Sequence, residues 1–408
     1  MKIIVQKFGG TSLKSEEAKK AAAEHVFSAV RNGYKVVVVV SAMGRNGDPY
    51  ATDTLLDLVG GVQSTVSKRE QDLLLSCGET ISSVVFSGML QKKGLRSLAM
   101  NGSQAGFRTS ENYGDAKIVD MRTEGVSTAL QEVDVVVVTG FQGETLHGTV
   151  STLGRGGSDT SATALGAALQ AEVIDIFTDV SGVMTADPRI VDNAKTLSSV
   201  TYNEVCNLAY QGAKVIHPRA VEVAMQAKVP IRIRSVFDQE AGTLISSTTA
   251  KGLGRDMEER PVTGIAHVSG LTQVNIQLLS SGPANEAAPV FQAMAEADIS
   301  VDFITIHPEH IQFTIPKHLK ESAAAQISRL GLTPSFAEGC AKVSAVGAGM
   351  TGVPGITAKI VQALHEEGIM ILQSADSHTT IWVLVKESEM KAAVNALHRT
   401  FLSEEEGD

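Results

Sequence analysis

The sequence predicts a mixed α/β protein in which a mostly parallel sheet lies between helix layers and is followed by two smaller ferredoxin-like units. Two valine-rich runs, at residues 36–40 and 133–138, are apolar on both faces, as strands buried inside a parallel sheet require. Strand and helix patterns alternate through residues 1–245, which is typical of α/β folds. The chain has 408 residues. At roughly 150 residues per domain, this length accommodates two or three domains.

The elements of the first 245 residues follow one another in a regular order. Short β-branched runs give strands, and longer segments with apolar residues at helical spacing give helices. Strands are expected at residues 3–6, 36–40, 95–100, 133–138, 173–177 and 231–234, and helices at residues 15–31, 68–93, 122–131, 159–170 and 203–227.

The remainder of the chain contains an internal duplication. Residues 290–306 (VFQAMAEADISVDFITI) match residues 360–376 (IVQALHEEGIMILQSAD) in both identities and apolar pattern. Each copy reads as βαββα and needs one strand from outside itself to complete a split βαβ unit. The predicted domains are residues 1–245, a polar linker at 246–261, and two smaller units at 262–339 and 340–408, with the strand at 262–268 assignable to either unit.

Charge and cysteine content exclude several classes of protein. The chain has 45 acidic and 35 basic residues, a net charge of −10, and no lysine- or arginine-rich block, which argues against a nucleic-acid partner. Its three cysteines form no CxxC pair, so neither a disulfide framework nor a thiolate zinc site is indicated. We expect no signal-peptide core and no membrane span, because no stretch approaches 18 apolar residues. The prediction is a cytoplasmic protein without a membrane partner.

The first candidate for chemistry is KFGGTS at residues 7–12, where the first strand meets the first helix. Two glycines allow backbone N–H groups to approach phosphate oxygens, and Lys7 can place an ammonium on a transferring phosphoryl group. No GxxxxGK[ST] motif occurs in the chain, so this is not a Walker A loop. The alternative, an ordinary turn capped by Ser12, is equally open at this point.

A second glycine-rich turn, GRGGSDT at residues 154–160, opens another helix. Three glycines around an arginine, followed by a Ser/Asp cap, form an anion cradle with a guanidinium suited to a carboxylate or a phosphate. Two such turns on one sheet favour a phosphate-handling site over ordinary turns.

Two further residues are candidates by position. Asp179 follows the strand at 173–177, and the carboxyl ends of parallel strands are where α/β sheets bind ligands. It could hold Mg²⁺ indirectly or orient Lys7. Lys214 lies in the predicted helix at 203–227, where either a solvated lysine or a phosphate contact fits the pattern.

The segment GAGMTG at residues 347–352 matches the GxGxxG pattern of dinucleotide-binding proteins. Only 56 residues follow it, too few for a dinucleotide-binding sheet, and the other copy of the duplication lacks the pattern. We interpret these glycines as a turn of the duplicated half and reject a dehydrogenase.

Taken together, these motifs resemble aspartate kinase of the amino-acid kinase superfamily. The resemblance is collinear over nearly the whole chain, and the duplicated tail is similar to the pair of ACT regulatory domains in that family. Within the family, sequence and length look closest to the diaminopimelate-sensitive enzymes of spore-forming bacteria. The segments that carry the resemblance are KFGGTS (7–12), VVVSAMG (38–44), SCGET (76–80), GRGGSDT (154–160), FTDVSGVMTADPR (177–189) and QGAKVIHPRA (211–220).

The resemblance implies an amino-acid kinase fold followed by two ACT domains, and phosphorylation of the β-carboxylate of L-aspartate by ATP with Mg²⁺. It implies no metal site built from protein ligands. The catalytic residues implied are Lys7, Asp179 and Lys214. The ATP-binding residues are Lys7, Phe8, Gly9, Gly10, Ser41, Gly156, Gly157, Thr178, Asp179, Met184, Arg189 and Lys214. The substrate-binding residues are Ser41, Thr52, Glu79, Arg155 and Ser158, of which Glu79 would bind the α-amino group and Arg155 the α-carboxylate.

Two of the substrate-binding assignments, Thr52 and Glu79, need a comment. The loop before Thr52 is longer than is common in the family, and Thr52 is the residue that the resemblance assigns as the substrate threonine. Glu79 could instead be a solvated residue at a break of its helix at Gly78, although glycine inside a helix costs about 1 kcal/mol and calls for a reason.

The ACT resemblance implies a homodimer or larger assembly that is inhibited by an end-product amino acid. The second copy reads DSHTTIW where lysine- and threonine-sensitive relatives differ, so the effector stays open, with meso-diaminopimelate first and lysine second. His378 could also be a core histidine. Another amino-acid kinase, such as a glutamate kinase, and a non-catalytic amino-acid sensor are the competing functions. The effector residues implied are Ser300, Val301, Asp302, Gly355, Ile356, Met370, Ile371, Ser377 and His378.

Overall fold

The computed structural model describes residues 1–213, 215–247, 261–278, 283–350 and 353–403. The chain divides into two compact units. The first contains the described residues of 1–183, 196–209 and 214–257, and the second those of 184–195, 210–213 and 258–408.

The first unit is built from alternating strands and helices. Its strands are β1 (Ile3–Phe8), β2 (Lys35–Val40), β3 (Ser97–Met100), β4 (Phe107–Thr109), β5 (Ile118–Met121), β6 (Val135–Thr139), β7 (Gln142–Glu144), β8 (Val150–Thr152), β9 (Val173–Thr178), β10 (Ser199–Thr201), β11 (Ile231–Ser235) and β12 (Thr243–Ser246). Its helices are α1 (Glu16–Arg31), α2 (Thr52–Asp57), α3 (Lys68–Lys92), α4 (Glu124–Glu132), α5 (Gly157–Ala168), α6 (Tyr202–Tyr210) and α7 (Pro218–Ala227).

Eight strands form the central sheet, in the order β10-β12-β11-β9-β1-β2-β6-β3. Every neighbouring pair is parallel except β11 and β12. The two valine-rich strands are neighbours, with Val36 opposite Val135, and all five valines of β2 and all four of β6 are buried. Continuous valine suits these strands because helices cover both faces of the sheet.

A second, four-stranded sheet was not expected from the sequence. Its order is β5-β4-β7-β8, and each strand contributes only three or four residues, too few for a periodic signal. Strand β8 leads directly into the glycine-rich turn before α5.

The single helix predicted at 203–227 is wrong. Helix α6 ends at Tyr210, and α7 begins at Pro218. Proline has no N–H to donate and has a backbone φ suited to the first position of a helix. His217, the residue before it, caps α7, and its side chain accepts from the Arg219 N–H. The pattern of apolar residues continued across the break and concealed it.

Helix α3 is, in the described part of the chain, the one helix long and apolar enough to pass a membrane-span test. Half of its most apolar 18-residue stretch is buried inside the first unit, and the helix packs against strands of both sheets. The core helix of a soluble protein passes the same test, so this finding is weak evidence for a membrane.

The second unit contains one antiparallel sheet with the order β14-β15-β13-β16-β18-β17. Its strands are β13 (Gly264–Gln277), β14 (Asp302–Ile306), β15 (His310–Pro316), β16 (Pro334–Val346), β17 (Gln373–Asp376) and β18 (Thr380–Lys386). Its helices are α8 (Pro283–Glu296), α9 (Lys320–Arg329), α10 (Ile356–Glu366) and α11 (Met390–Leu402).

Two long strands, β13 and β16, run through both halves of this sheet. The later part of β13 pairs with β15 and with the start of β16, where Ile276 lies opposite Pro334. The early part of β13 pairs with the end of β16, where Ile265 lies opposite Ala345. Each βαββα copy is therefore completed by a strand from outside its core, and each half has its own hydrophobic cluster. The exact domain boundaries remain a prediction.

Candidate active site

The candidate site lies at the carboxyl edge of the central sheet, where β1, β2 and β6 end side by side. The Ser41 N–H donates to the Phe8 carbonyl (3.1 Å), and the Gly140 N–H donates to the Val40 carbonyl (2.9 Å). The Gly44 N–H donates to the Gly10 carbonyl (3.0 Å). These bonds hold the loops that follow the strands against one another, at the edge where α/β sheets bind ligands.

Lys7 is held at this edge by a carboxylate that the sequence analysis did not single out. Its Nζ lies 2.6 Å from Oδ1 of Asp159, in the first turn of α5, and the two side chains are 12% and 14% exposed. The expectation that Asp179 orients Lys7 is not met, because Asp179 lies beyond the end of β9 and pairs instead with Arg45 at 3.1 Å. The sequence pattern indicates Asp159 only as part of a helix cap.

The first glycine turn is shaped by close backbone contact. A Cβ on Gly10 would lie 2.6 Å from the carbonyl oxygens of Ala42 and Gly44, so only glycine fits. The alternative in which Ser12 caps the first helix is wrong, because Ser15 is the cap and accepts from the Ala18 N–H at 3.1 Å. The hydroxyl of Ser12 is buried with no partner among the described residues.

The second glycine turn presents the start of α5 without a side-chain cap. The N-cap residue is Gly156, at a φ of 72°, so Ser158 and Asp159 do not cap the helix. A Cβ on Gly156 would lie 2.2 Å from Cγ of His217. Arg155 is exposed and has no ion-pair partner in the described part of the chain. Uncapped N–H groups and a free guanidinium suit an anion.

Glu79 is a buried carboxyl group with spare hydrogen-bonding capacity. Its side chain is 2% exposed, Oε1 accepts from the Ala42 N–H at 3.0 Å, and Oε2 has no partner among the described residues. Burial raises the pKa of Glu79 to about 8. Helix α3 continues through Gly78, whose Cβ would lie 2.8 Å from Cβ of Ala42. The solvated-residue alternative for Glu79 is therefore wrong.

The remaining predicted residues occupy varied positions. Phe8 is fully buried and stacks on Phe177 with ring centroids 4.7 Å apart, so its side chain belongs to the core and only its main chain can face a ligand. Thr178 Oγ1 accepts from the Val180 N–H at 2.9 Å. The first unit also contains Ser41, Thr52 and Ser158, and its two glycine turns contain Gly9 and Gly157. The second unit contains Met184 and Arg189. Lys214 lies outside the described residues.

The predicted effector residues all belong to the second unit. Asp302, at the start of β14, forms an ion pair with the buried Lys342. His378 is exposed in the turn between β17 and β18, so the core-histidine alternative is wrong. Ser300 and Val301 precede β14, Gly355 caps α10 and Ile356 begins it, Met370 and Ile371 precede β17, and Ser377 lies beside His378.

No metal site made by protein side chains is present in the ranges that the structure describes, since no three His, Cys, Asp or Glu residues are grouped to hold an ion. Magnesium in phosphoryl-transfer sites is usually held by one or two carboxylates together with the substrate phosphates. The exposed Asp179, at the carboxyl end of β9, suits that arrangement.

The fold and the site define a phosphotransferase of the amino-acid kinase type. The model of the amino acid kinase family matches residues 2–235, and an ACT domain model matches residues 335–399. The chain is 60% identical to aspartokinase 1 of Bacillus subtilis (strain 168) over 401 residues, which cover 98% of this chain and 99% of the relative. The chain therefore belongs to the aspartokinases.

Two solved structures share the whole fold. Aspartokinase III of E. coli in complex with aspartate and ADP (R-state) matches with a TM-score of 0.80 at 24% identity, covering 98% of this chain and 100% of that one. The same enzyme with lysine and aspartate (T-state) matches with a TM-score of 0.77 at 24% identity and the same coverage. The predicted fold class is confirmed, and the family is one of ATP-dependent kinases.

Proposed function

We propose that this aspartokinase transfers the γ-phosphoryl group of ATP to the β-carboxylate of L-aspartate and releases 4-phospho-L-aspartate and ADP. The observation that carries this proposal is Glu79, a buried carboxyl group whose Oε2 has no partner among the described residues. A buried carboxylate is costly unless it is paired, so this group calls for a cationic ligand, and the α-ammonium of an amino acid supplies one.

The other end of the amino acid has a partner of opposite charge. Arg155, exposed on the glycine turn before α5, can bind an α-carboxylate with two parallel hydrogen bonds. Glu79 and Arg155 would thus take the zwitterionic head of the substrate, with Ser41, Thr52 and Ser158 adding hydrogen bonds. The side-chain carboxylate is then left to react.

The reaction requires the protein to position the reacting groups and to neutralise their charge, and it requires no general base. A carboxylate nucleophile is already ionised at neutral pH, so the protein has to align it with the phosphoryl group and stabilise the negative charge that shifts during transfer. Lys7 is suited to this because Asp159 fixes its ammonium beside the backbone of Gly9. Lys214 and Asp179 are proposed as further charged groups, and Mg²⁺ bound with the nucleotide would neutralise phosphate charge.

The nucleotide would lie along the two glycine turns. The backbone N–H groups near Gly9, Gly10, Gly156 and Gly157 can donate to phosphate oxygens. Thr178, Met184 and Arg189 are proposed on the nucleotide side by their match to the family pattern.

For the second unit we propose feedback inhibition by an end-product amino acid, with meso-diaminopimelate as the first choice and lysine as the second. The support is the ACT match at residues 335–399 and the duplicated sheet. We further propose a homodimer or larger assembly in the cytoplasm, acting at the first step toward lysine, diaminopimelate, methionine and threonine.

The test is a hydroxamate assay with aspartate and with glutamate, each with ATP and with or without MgCl₂. We expect product only with aspartate and Mg²⁺. Equal rates with both amino acids would identify a less selective amino-acid kinase, and no product with either would favour an amino-acid sensor. A panel of lysine, threonine, methionine and meso-diaminopimelate, singly and paired, tests the inhibition separately; insensitivity to all of them would refute the regulatory proposal and leave the kinase intact.

A further inference from the structure

Helix α3 carries a second buried carboxylate, Asp72, that the proposed chemistry does not use. Its side chain is fully buried. Oδ2 accepts from the N–H groups of Gly114 (3.0 Å) and Thr152 (2.7 Å), and Oδ1 accepts from the Thr152 hydroxyl (2.7 Å). Burial raises the pKa of Asp72, while the hydrogen bonds from Thr152 and Gly114 oppose that rise. Two donors from Thr152 of the small sheet and one from Gly114, in the loop between β4 and β5, therefore converge on this one group.

The main partner, Thr152, leads into the turn that carries Arg155. Thr152 is the last residue of β8, and Arg155 follows three residues later. The Thr152 carbonyl accepts from the Ala116 N–H (2.8 Å), and the Leu153 N–H donates to the Phe141 carbonyl (2.8 Å). Asp72 thus fixes the chain at the point where the turn begins.

A cation from α7 holds the same turn from another direction. The Arg219 guanidinium donates to the carbonyls of Leu153 (3.1 Å) and Ala116 (3.0 Å). The ring of His217 lies against Gly156, where no Cβ would fit. Arg155 itself has no partner in the described ranges, so its position depends on the backbone that these groups hold.

The same face of α3 also presents Glu79. Residues 72, 76 and 79 are spaced i, i+4 and i+7, so they lie along one side of the helix, with Asp72 and Glu79 about 10 Å apart along its axis. Between them, the Ser76 carbonyl accepts from Nε2 of Gln142 (3.0 Å), which lies opposite Thr152 in the small sheet. One rigid helix therefore carries the proposed ammonium ligand and anchors the turn of the proposed carboxylate ligand.

We propose that Asp72 is a positioning residue for the amino-acid substrate, acting through Thr152 to hold the Arg155 turn at a fixed spacing from Glu79. The inference rests on the proposed function, in which Glu79 and Arg155 bind the two α-groups of aspartate. Loss of the anchor should weaken aspartate binding more than ATP binding, because Arg155 is proposed to bind aspartate alone, whereas ATP is also held by the first glycine turn beside Lys7, which does not share these contacts.

The test compares Thr152→Val, which removes the hydroxyl donor, with Thr152→Ser, which keeps it. We expect the KM for aspartate to rise about tenfold or more in Thr152→Val, with the KM for ATP within about twofold of wild type, and we expect Thr152→Ser to stay close to wild type. The matched control is Thr109→Val, which removes another buried hydroxyl of the same sheet, bonded to Ser151 at 2.6 Å. It should lower the urea midpoint without changing the KM for aspartate.

Arg219→Lys is an independent variant for the case in which Thr152→Val does not fold. Lysine keeps the charge but cannot bridge two carbonyl groups in the fixed geometry of a guanidinium, so the same selective rise in KM for aspartate is expected. An unchanged KM for aspartate in the folded variants would overturn the inference, as would an equal rise in Thr109→Val. Wild-type activity with aspartate is measured first, so a failure of the proposed function shows there and is distinct from a failure of the positioning role.

Discussion

Glu79→Gln is the substitution that tests the proposed substrate site most directly. Glutamine keeps the size of the side chain and an oxygen that can accept from the Ala42 N–H, but it cannot become an anion. The wild-type carboxyl has a pKa of about 8, so about one molecule in ten carries the charge at pH 7. An ammonium substrate binds the charged form, and ionising Glu79 at pH 7 costs about 1.4 kcal/mol of the binding free energy.

The expected result is that kcat/KM for aspartate depends on pH in the wild type and not in Glu79→Gln. Wild-type kcat/KM for aspartate should rise about tenfold from pH 6 to pH 7 and about fivefold from pH 7 to pH 8 and then level off, because this ratio reports the pKa of the free enzyme. A charge-assisted hydrogen bond is worth about 1.5–3 kcal/mol, so Glu79→Gln should lose roughly 10- to 100-fold in kcat/KM at pH 9 and approach the wild type toward pH 6. Coupled detection of ADP over pH 6–9 measures both profiles.

Stability gives a second readout with a defined sign. The pKa of Glu79 is raised from 4.5 to about 8 in the folded protein, so its contribution to stability is fully present below pH 4.5 and is lost as the pH rises through about 8. The loss is on the order of 5 kcal/mol across this window. Glu79→Gln should lack it and be the more stable protein at pH 8.

A wild-type kcat/KM that does not change with pH between 6 and 8 would refute the assignment of Glu79 to the substrate ammonium. The control is Glu132→Gln, at the exposed end of α4, which removes the same charge from the surface. It should leave the profile as in the wild type.

Two further substitutions test the first glycine turn, beside Lys7, and the second, at Gly156. Lys7→Ala should lower kcat by about 10²-fold or more through loss of charge stabilisation, whereas the exposed Lys14→Ala should not, and an unchanged kcat in Lys7→Ala would contradict the mechanism. Gly156→Ala places a methyl group 2.2 Å from Cγ of His217 at a φ of 72°, so we expect about 1–3 kcal/mol of destabilisation by urea unfolding and weaker aspartate binding. Gly33→Ala, at a φ of 85° with no atom within 4 Å, isolates the cost of the backbone angle, and an equal effect on aspartate binding there would argue against a role for the turn.

The parallel core could be predicted from the sequence because its signal is local. Valine-rich runs have few alternatives to a strand buried on both faces, and the structure places β2 and β6 side by side in the centre of the sheet. The positions of Gly10 and Gly156 in turns between a strand and a helix were predictable for the same reason, since short motifs carry them. Glu79 is also carried by a short motif, but it lies in the middle of α3.

Pairing between distant side chains could not be predicted in the same way. Lys7 and Asp159 are separated by 152 positions, and their contact depends on where α5 begins relative to β1. A cap of α5 by Ser158 or Asp159 was a reasonable local expectation, yet Gly156 is the N-cap residue and Asp159 is left to pair with Lys7. The choice of Asp179 as the partner rests on its position after the carboxyl end of a strand, which indicates the ligand-binding edge of the sheet but not which side chains meet there.

Helix α3 shows a deeper limit of sequence patterns. Many of its polar residues are buried while several apolar ones are exposed, which departs from the pattern of an ordinary surface helix. Leu73 is 55% exposed and Val84 is 59% exposed, whereas Asp72 and Glu79 are 0% and 2% exposed. Burying a polar face is unfavourable unless each group finds a partner, so a fold keeps such a face where its groups bind backbone, neighbouring loops or a ligand. Asp72 satisfies this with three internal donors, but Glu79 retains an unpaired oxygen, and that difference distinguishes the group that holds the protein together from the group that is available to a substrate.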